Sequence, residues 1–286
     1  MLYKETYPIN FGLKEGASKV YQIEQQMSYT VEDYQYHNEI KTEVRVTVAQ
    51  KTALSYVFSI QLLNQWQLKN DGADAVDLSL AELRKKLLIE TDLQGKIQQV
   101  INLPEIKDHW LEIRPAIAKK YADQEQLKEM INDAVLLLYT DGGLNGAIQS
   151  SYLYHAILPG LLEQNFSKER HYTFNSHREI PNAIGQTAIP FKTKVSLTDY
   201  NEEQRSCTIK IDGEIDRENF DQDGVTEMFS ELLDVYNLDA HVEGFHLENY
   251  TYGSDGMPME SSQLTQYAIE GVLMYRNLCI LTPLND

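Results

Sequence analysis

Six carboxylates crowd one stretch of the chain and form its densest group of side chains capable of chemistry. Most of them alternate with other residues, which is the pattern of one strand face, where successive side chains lie about 7 Å apart. The six are Asp212, Glu214, Asp216, Glu218, Asp221 and Asp223. Such a row could hold a cation, exchange protons or attract a basic partner, and the surrounding sequence decides between these roles.

The end of this row resembles the start of a calcium-binding EF-hand loop, in the sequence Asn219-x-Asp221-x-Asp223-Gly224. An EF-hand requires a bidentate glutamate at the twelfth loop position and a helix before the loop. The twelfth position here is Ser230, and a strand pattern precedes the loop. Because neither requirement is met, we predict no metal site.

The other reactive residue types show no catalytic spacing. The chain contains no Gly-x-Ser-x-Gly sequence, the motif that presents a nucleophilic serine. Cys207 and Cys279 lie in apolar strand patterns, which favours buried free thiols. His246 and Glu248 share one face of a predicted strand, so an ion pair between them is expected to be feasible. We predict neither a cofactor nor enzymatic activity, and we rank lowest the alternative of an enzyme site built from distant carboxylates and histidines.

The formal net charge of −18 is concentrated in one region. Residues 199–260 contain 17 acidic side chains and only 3 basic ones. A surface of this charge repels phosphate backbones, so we predict no binding to nucleic acid, and it attracts basic proteins. The first hypothesis is therefore a non-enzymatic protein-binding module (an adaptor, a chaperone or an immunity-protein-like inhibitor) that presents the six carboxylates to a basic protein. The competing explanation is a solvated strand face, partly neutralised by Lys192 and Lys194 on the neighbouring predicted strand.

Long strand patterns must position these residues. The runs Ser18–Val31, Asn38–Ala49 and Leu54–Leu68 alternate apolar and polar residues over more than ten positions, about twice the usual strand length. Strands with one apolar face belong to antiparallel sheets that cover a core, and long strands twist and coil. We predict an α+β fold in a single domain, residues 1–286. Its main feature is a large, curled, half-barrel-like antiparallel sheet wrapped around a central helical block.

The predicted helical block, residues 103–162, separates two β-rich arms, residues 18–102 and 187–282. Both arms contain long strands, a short helix and a hairpin with an Asp/Gly turn. This shared order suggests an internal pseudo-repeat, although the residues themselves are not similar.

Three finer predictions concern the block and the segment after it. Apolar spacing predicts one helix over residues 145–158. Pro115 lies inside an earlier helical pattern and predicts a kink or a break there, because proline removes a backbone donor. Residues 176–186 contain a proline and a glycine and are predicted to form a loop.

The second hypothesis is a carrier that holds an apolar ligand between the sheet and the helices. Long curled strands over helices can enclose a cavity, and large aromatic side chains would line it. The candidate lining residues are Tyr56, Phe58, Trp66, Trp110, Tyr152 and His155. The competing explanation is that these side chains fill the core, which is the usual fate of apolar stripes.

The sequence predicts no membrane span. Its longest uninterrupted apolar run is residues 134–139, against the ~20 residues that cross a bilayer as a helix. Residues Met1–Glu5 lack the basic region and the apolar stretch of a secretory signal. We therefore predict a cytoplasmic protein, or a periplasmic or extracellular one if a signal has been removed.

Overall fold

One large antiparallel sheet dominates the fold of the described residues. The computed structural model describes residues 6–8, 12–31, 33–70, 81–120, 127–167, 173–234 and 240–284. Eleven strands of these residues pair into the sheet: β2 (Ser18–Val31), β3 (Tyr34–Lys51), β4 (Ser55–Asn70), β5 (Lys86–Asp92), β6 (Ile97–Val100), β8 (Thr173–Ile184), β9 (Thr187–Asn201), β10 (Ser206–Ile215), β11 (Val242–Tyr252), β12 (Pro258–Ile269) and β13 (Leu273–Pro283). Two short strands, β1 (Thr6–Pro8) and β7 (Asn165–Ser167), pair with each other.

The strand order is β6-β5-β4-β3-β2-β13-β12-β11-β10-β9-β8, and all neighbours are antiparallel. Within this sheet of the described residues, only the pairing of β2 with β13 joins strands that are not consecutive in the chain. The sheet therefore consists of two meanders that meet at its centre, and it is open, with β6 and β8 as its edges. The predicted large antiparallel sheet is confirmed, whereas the internal pseudo-repeat stays a prediction.

Five helices are present in the described residues, and four of them connect one edge of the sheet to the other. They are α1 (Leu103–Lys120), α2 (Leu127–Tyr139), α3 (Gly143–Gln149), α4 (Tyr152–Ile157) and, between β10 and β11, α5 (Gln222–Leu233). None of the described helices combines the length and the apolarity needed to cross a bilayer.

Two of the finer helix predictions need correction. α1 continues through Pro115, with Trp110 and Ile117 on either side of it both buried, so the predicted break is wrong and the predicted kink stays a prediction. The single helix predicted over residues 145–158 is divided between α3 and α4. At the division the Ser150 hydroxyl donates a hydrogen bond to the Gly146 carbonyl oxygen (2.9 Å), a local contact that competes with helix continuation.

The structure does not show the predicted central helical block. α1 contacts the 3-10 turn Ala81–Arg84, α3 contacts the edge strand β6, and α4 contacts β12 and β13. The physical reason is that the segment is divided into four helices with different neighbours: α3 and α4 pack on separate parts of the sheet, whereas α2 contacts α1 and α3. Side chains of α3 also satisfy the free edge of β6, since Asn145 Oδ1 accepts from the Val100 amide (2.8 Å).

Two hydrophobic clusters cover the inner face of the sheet, which is the face that the helices contact. The first combines strand residues such as Phe58 and Tyr250 with helix residues such as Trp110. The second packs Phe229 of α5 against Tyr267 and its neighbours.

A row of polar residues separates these two clusters. Cross-strand pairing places Thr193 beside Gly213, Gly213 beside His246, His246 beside Thr265, and Thr265 beside Asn277. The four polar side chains are all buried. Within this row His246 and Thr265 are hydrogen-bonded to each other, whereas Thr193 Oγ1 and Asn277 Oδ1 have no partner among the described residues.

Candidate functional site

A cleft opens on the inner face, between helices α3 and α4 and the edge strand β8. It has two adjoining lobes with cavity volumes of about 690 and 390 Å³. Four side chains line both lobes: Gln149, His155, His177 and Arg178. Each volume lies within the range of roughly 300–1,000 Å³ that is usual for small-molecule sites.

Both edges of the sheet contribute to the larger lobe. Ile97 belongs to β6, while Phe174 belongs to β8, at the other end of the strand order. The loop of residues 158–162 connects them. The Leu162 amide donates to the Gln94 carbonyl oxygen (2.7 Å), and Arg178 Nη2 donates to the Pro159 carbonyl oxygen (3.1 Å). The sheet must therefore curl enough for its two edges to face one cleft.

The larger lobe combines apolar and polar side chains. Its apolar side chains are Ile97, Leu158, Pro159, Leu161, Phe174 and Val195. Its uncharged polar side chains include Gln94, Gln98, Gln149, Gln164 and Ser176. Lys96 and Arg178 bring positive charge, and no carboxylate of the described chain lines this lobe. In a protein of net charge −18, the lobe is a local exception.

A tight turn between β5 and β6 positions Lys96. Asp92 Oδ1 accepts from the backbone amides of Gln94 and Lys96, both at 2.9 Å. Gly95 has a φ of +80°, and a Cβ there would lie 2.9 Å from the Leu162 side chain. Glycine is therefore required both for the backbone conformation and for the close approach of the bridging loop.

Glu248 of β11 lies at the floor of the smaller lobe and is 1 % exposed. It accepts from Arg178 Nε (2.7 Å), Arg178 Nη2 (3.4 Å), His246 Nε2 (2.8 Å) and the Tyr250 hydroxyl. Burial alone would raise the pKa of Glu248, but Arg178 and His246 hold that pKa well below its ordinary value. With all its lone-pair directions in use, this carboxylate anchors its neighbours.

A chain of hydrogen bonds continues from Glu248 across the polar row. The Tyr152 hydroxyl donates to Thr265 Oγ1 (2.7 Å), and Thr265 Oγ1 lies 2.7 Å from His246 Nδ1. Because Thr265 Oγ1 accepts from Tyr152, its own hydroxyl proton is donated to His246 Nδ1. The imidazole proton is therefore on Nε2, which donates to Glu248. The series of carboxylate, imidazole and hydroxyl has the composition of a nucleophilic triad. However, Thr265 is fully buried, so its hydroxyl does not reach the cleft.

Arg178 of β8 is the central residue that sequence reasoning missed. It lies in residues 176–186, for which a loop was the prediction, and the structure shows a strand through Ile184 instead. Pro181 is tolerated because β8 is an edge strand, where a missing amide donor costs no ladder hydrogen bond. The only local signal was a basic residue in a strand-length segment, because its partner Glu248 is 70 residues further along the chain.

His155 of α4 lies beside Arg178 at the cleft and is partly buried. Burial, followed by the positive charge of Arg178, lowers the pKa of His155 below its ordinary value. The imidazole is therefore neutral near pH 7. The sequence placed it correctly on a helix, but it lines the cleft rather than only filling the core.

The predicted cavity residues do not converge. Tyr152 and His155 line the smaller lobe, whereas Tyr56 and Trp110 are fully buried in the first cluster. Phe58 borders a void of only about 10 Å³, so the contact between strands and helices is filled there.

Trp66 lies elsewhere, on the outer face. Its side chain is 41 % exposed, and the Lys41 Nζ atom is 5.9 Å from the ring centroid. The structure thus brings two of the six predicted cavity residues to the cleft.

The six predicted partner-binding carboxylates have three different environments. Asp216 is buried, and Lys192 Nζ (3.0 Å) and Asn219 Nδ2 (2.7 Å) bind it. Asp221 caps α5 by accepting from the Gly224 amide (3.0 Å). Glu214, Glu218 and Asp223 are exposed, as is Asp221, and Asp212 is half-buried.

Lysines neutralise part of this row. Lys192 Nζ lies 2.9 Å from Glu218, and Lys210 Nζ lies 2.7 Å from Asp212. The predicted pairing with Lys192 is confirmed, and the binding of a basic protein stays a prediction. Among the described residues, no three His, Cys, Asp or Glu side chains converge as metal ligands.

Comparison with known proteins shows a fold and no family. No protein-family model matches the chain, and no curated protein is significantly similar to it in sequence. The chain resembles part of a lipovitellin structure, one concerned with lipid–protein interactions, with a TM-score of 0.51 and 9% sequence identity. The alignment covers 96% of this chain and 25% of the lipovitellin chain, so the chain spans about a quarter of that protein's length.

Proposed function

We propose that this protein is a carrier that binds an apolar or amphipathic small molecule in the cleft between α3–α4 and β8. The observation that carries the proposal is the cleft itself, with lobes of about 690 and 390 Å³. Beside Phe58 the contact between helices and sheet is filled, with a void of only about 10 Å³, and the other pockets along this contact, of about 370 Å³ at Ile106 and about 120 Å³ at Leu153, are smaller than the larger lobe. The cleft is thus a place where the inner face leaves room for a ligand.

The lining supports a ligand with a substantial apolar part. Six apolar side chains line the larger lobe, with Pro159 among them, and three come from β6, β8 and β9: Ile97, Phe174 and Val195. Removing apolar ligand surface from water onto such walls contributes roughly 25 cal/mol per Å². The resemblance to lipovitellin, a protein studied for its contacts with lipid, gives further support.

The test is binding of the uncharged, polarity-sensitive dye Nile red, followed by fluorescence. We expect the purified protein to bind the dye saturably. Ser176→Trp should reduce the affinity at least tenfold, because Ser176 lines the larger lobe and an indole would occupy it. Organic extraction and mass spectrometry of the protein as isolated would identify any ligand that it retains.

Ser196→Trp is the matched control. Ser196 is on β9 next to this region and lies on the outer face, paired with Lys210. This variant should bind the dye as the wild type does. Dye binding that Ser176→Trp leaves unchanged would overturn the proposal, since the dye would then occupy another surface.

A further inference from the structure

We infer that the cleft binds its ligand by an anionic group, a carboxylate or a phosphate, held between Arg178 and Lys96 at the two edges of the sheet. This inference rests on the proposed carrier function and adds the chemistry of the ligand's polar end. Arg178 is on β8 and Lys96 precedes β6, and both line the larger lobe.

Arg178 is rigidly held yet retains free donors. Its Nε and Nη2 atoms donate to Glu248 and to the Pro159 carbonyl oxygen. No described residue accepts a hydrogen bond from Nη1, although the side chain is only 19 % exposed and lines both lobes. A guanidinium fixed on one side and free on the other is suited to carboxylate or phosphate oxygens.

Lys96 supplies the uncompensated positive charge. Glu248 neutralises Arg178, but no carboxylate of the described chain lies within 4 Å of the Lys96 ammonium. Lys96 is an exposed residue that lines the lobe, and the turn formed by Asp92 fixes its backbone. An anion in this lobe therefore meets the charge of Lys96 with no carboxylate of the described chain in the lining.

The smaller lobe is the less suitable place for an anion. Glu179 and Glu248 both line it, and a carboxylate repels an anion and has no proton to donate to it. The larger lobe has the apolar wall beside the two cations. An anionic amphiphile therefore fits with its charged end between Arg178 and Lys96 and its tail against Phe174 and Leu161.

The experiment is displacement of bound Nile red by four twelve-carbon compounds below their micelle concentrations. The compounds are dodecanoate, dodecyl phosphate, methyl dodecanoate and dodecylamine. We expect at least one of the two anions to compete about tenfold better than the ester, consistent with charge-assisted hydrogen bonds. The amine should compete worst. The two anions distinguish a carboxylate ligand from a phosphate ligand.

Lys96→Gln should weaken the preferred anion about fivefold or more and leave the ester unchanged, since only the charge is lost. Lys119→Gln removes the same charge from an exposed position on α1 away from the cleft, and it should have no effect. Arg178→Lys, checked for folding by circular dichroism, should also reduce the preference, because the lysine lacks the free guanidinium donors.

The outcomes separate this inference from the proposed function. If the dye and the ester bind but neither anion is preferred, the anion site is wrong and the carrier function stands. If Lys96→Gln and Lys119→Gln weaken anions equally, the effect is general charge and the inference is also wrong. If neither dye nor amphiphile binds, the carrier function fails, and the inference fails with it.

Discussion

One buried glutamate and a row of accessible carboxylates lie on opposite faces of adjacent strands. They differ in burial and in the hydrogen bonds that they accept. On the inner face, Glu248 of β11 is buried and accepts hydrogen bonds from Arg178, His246 and Tyr250. On the outer face of β10, Asp212 and Glu214 are accessible to water, and Asp212 pairs with Lys210 on its own strand.

The difference teaches that the number of carboxylates in a stretch says little about their importance to the structure. Exposed ion pairs contribute about 0–1 kcal/mol, because water and salt screen them. A buried carboxylate leaves its partner charge uncompensated when it is removed, at a cost of about 3–5 kcal/mol. The conspicuous acidic row is therefore expected to matter less to stability than the single glutamate on the opposite face.

The largest expected effect is that of Glu248→Ala. This change leaves the Arg178 guanidinium buried without its anion, so the free energy of unfolding should fall by about 3–5 kcal/mol. Urea unfolding followed by circular dichroism measures it. Arg178→Met combined with Glu248→Leu should recover most of the loss, because no unpaired charge remains. A loss below about 1 kcal/mol for Glu248→Ala would show that the network is not structurally important.

A smaller effect is expected from His155 when the pH changes. Burial and Arg178 lower the pKa of His155 in the folded state, so the unfolded chain binds its proton first as the pH falls. Stability contributed by this group is therefore complete above the ordinary pKa of 6.5 and decreases as the pH falls below it. The urea midpoint of the wild type should fall between pH 7 and pH 5 more than that of His155→Gln. Equal pH dependence in both proteins would contradict the predicted shift.

The smallest effect is expected on the outer face. Asp212→Asn and Glu214→Gln should each change the free energy of unfolding by less than about 0.5 kcal/mol, since both side chains are accessible to solvent. The same urea titration measures it, with Glu248→Ala as the reference. If the free energy of unfolding of either variant fell by more than about 2 kcal/mol, the outer carboxylates would matter to stability and the predicted difference between the two faces would be wrong.

The strands were the most predictable part of the fold. The alternation that predicted Ser18–Val31 corresponds to β2 with the same bounds, because each residue's face follows from its own position in the strand. Most of the strand β8, residues 176–184, was not predicted, because its proline suits only a sheet edge, and no local pattern reveals which strand is an edge. Helix ends were also misplaced where side chains compete for backbone groups, as at Ser150.

The candidate site was largely unpredictable for the same reason. His246 and Glu248 were recognised as neighbours on one strand face, and their contact at 2.8 Å is confirmed. Arg178 was overlooked because its partner is distant in sequence, and Lys96 because it lies in a turn.

The sequence by itself determined the antiparallel strands, their buried faces and the concentration of negative charge in residues 199–260, because these depend on residue type and local spacing. Only the tertiary structure decided that β2 pairs with β13, which joins the two meanders, and that β6 and β8 line one cleft. Pairing between distant strands and the curl of a whole sheet depend on the sum of many contacts, which no single stretch encodes. Arg178 and Lys96, which line the same lobe from opposite edges of the sheet, are therefore neighbours that only the tertiary structure reveals.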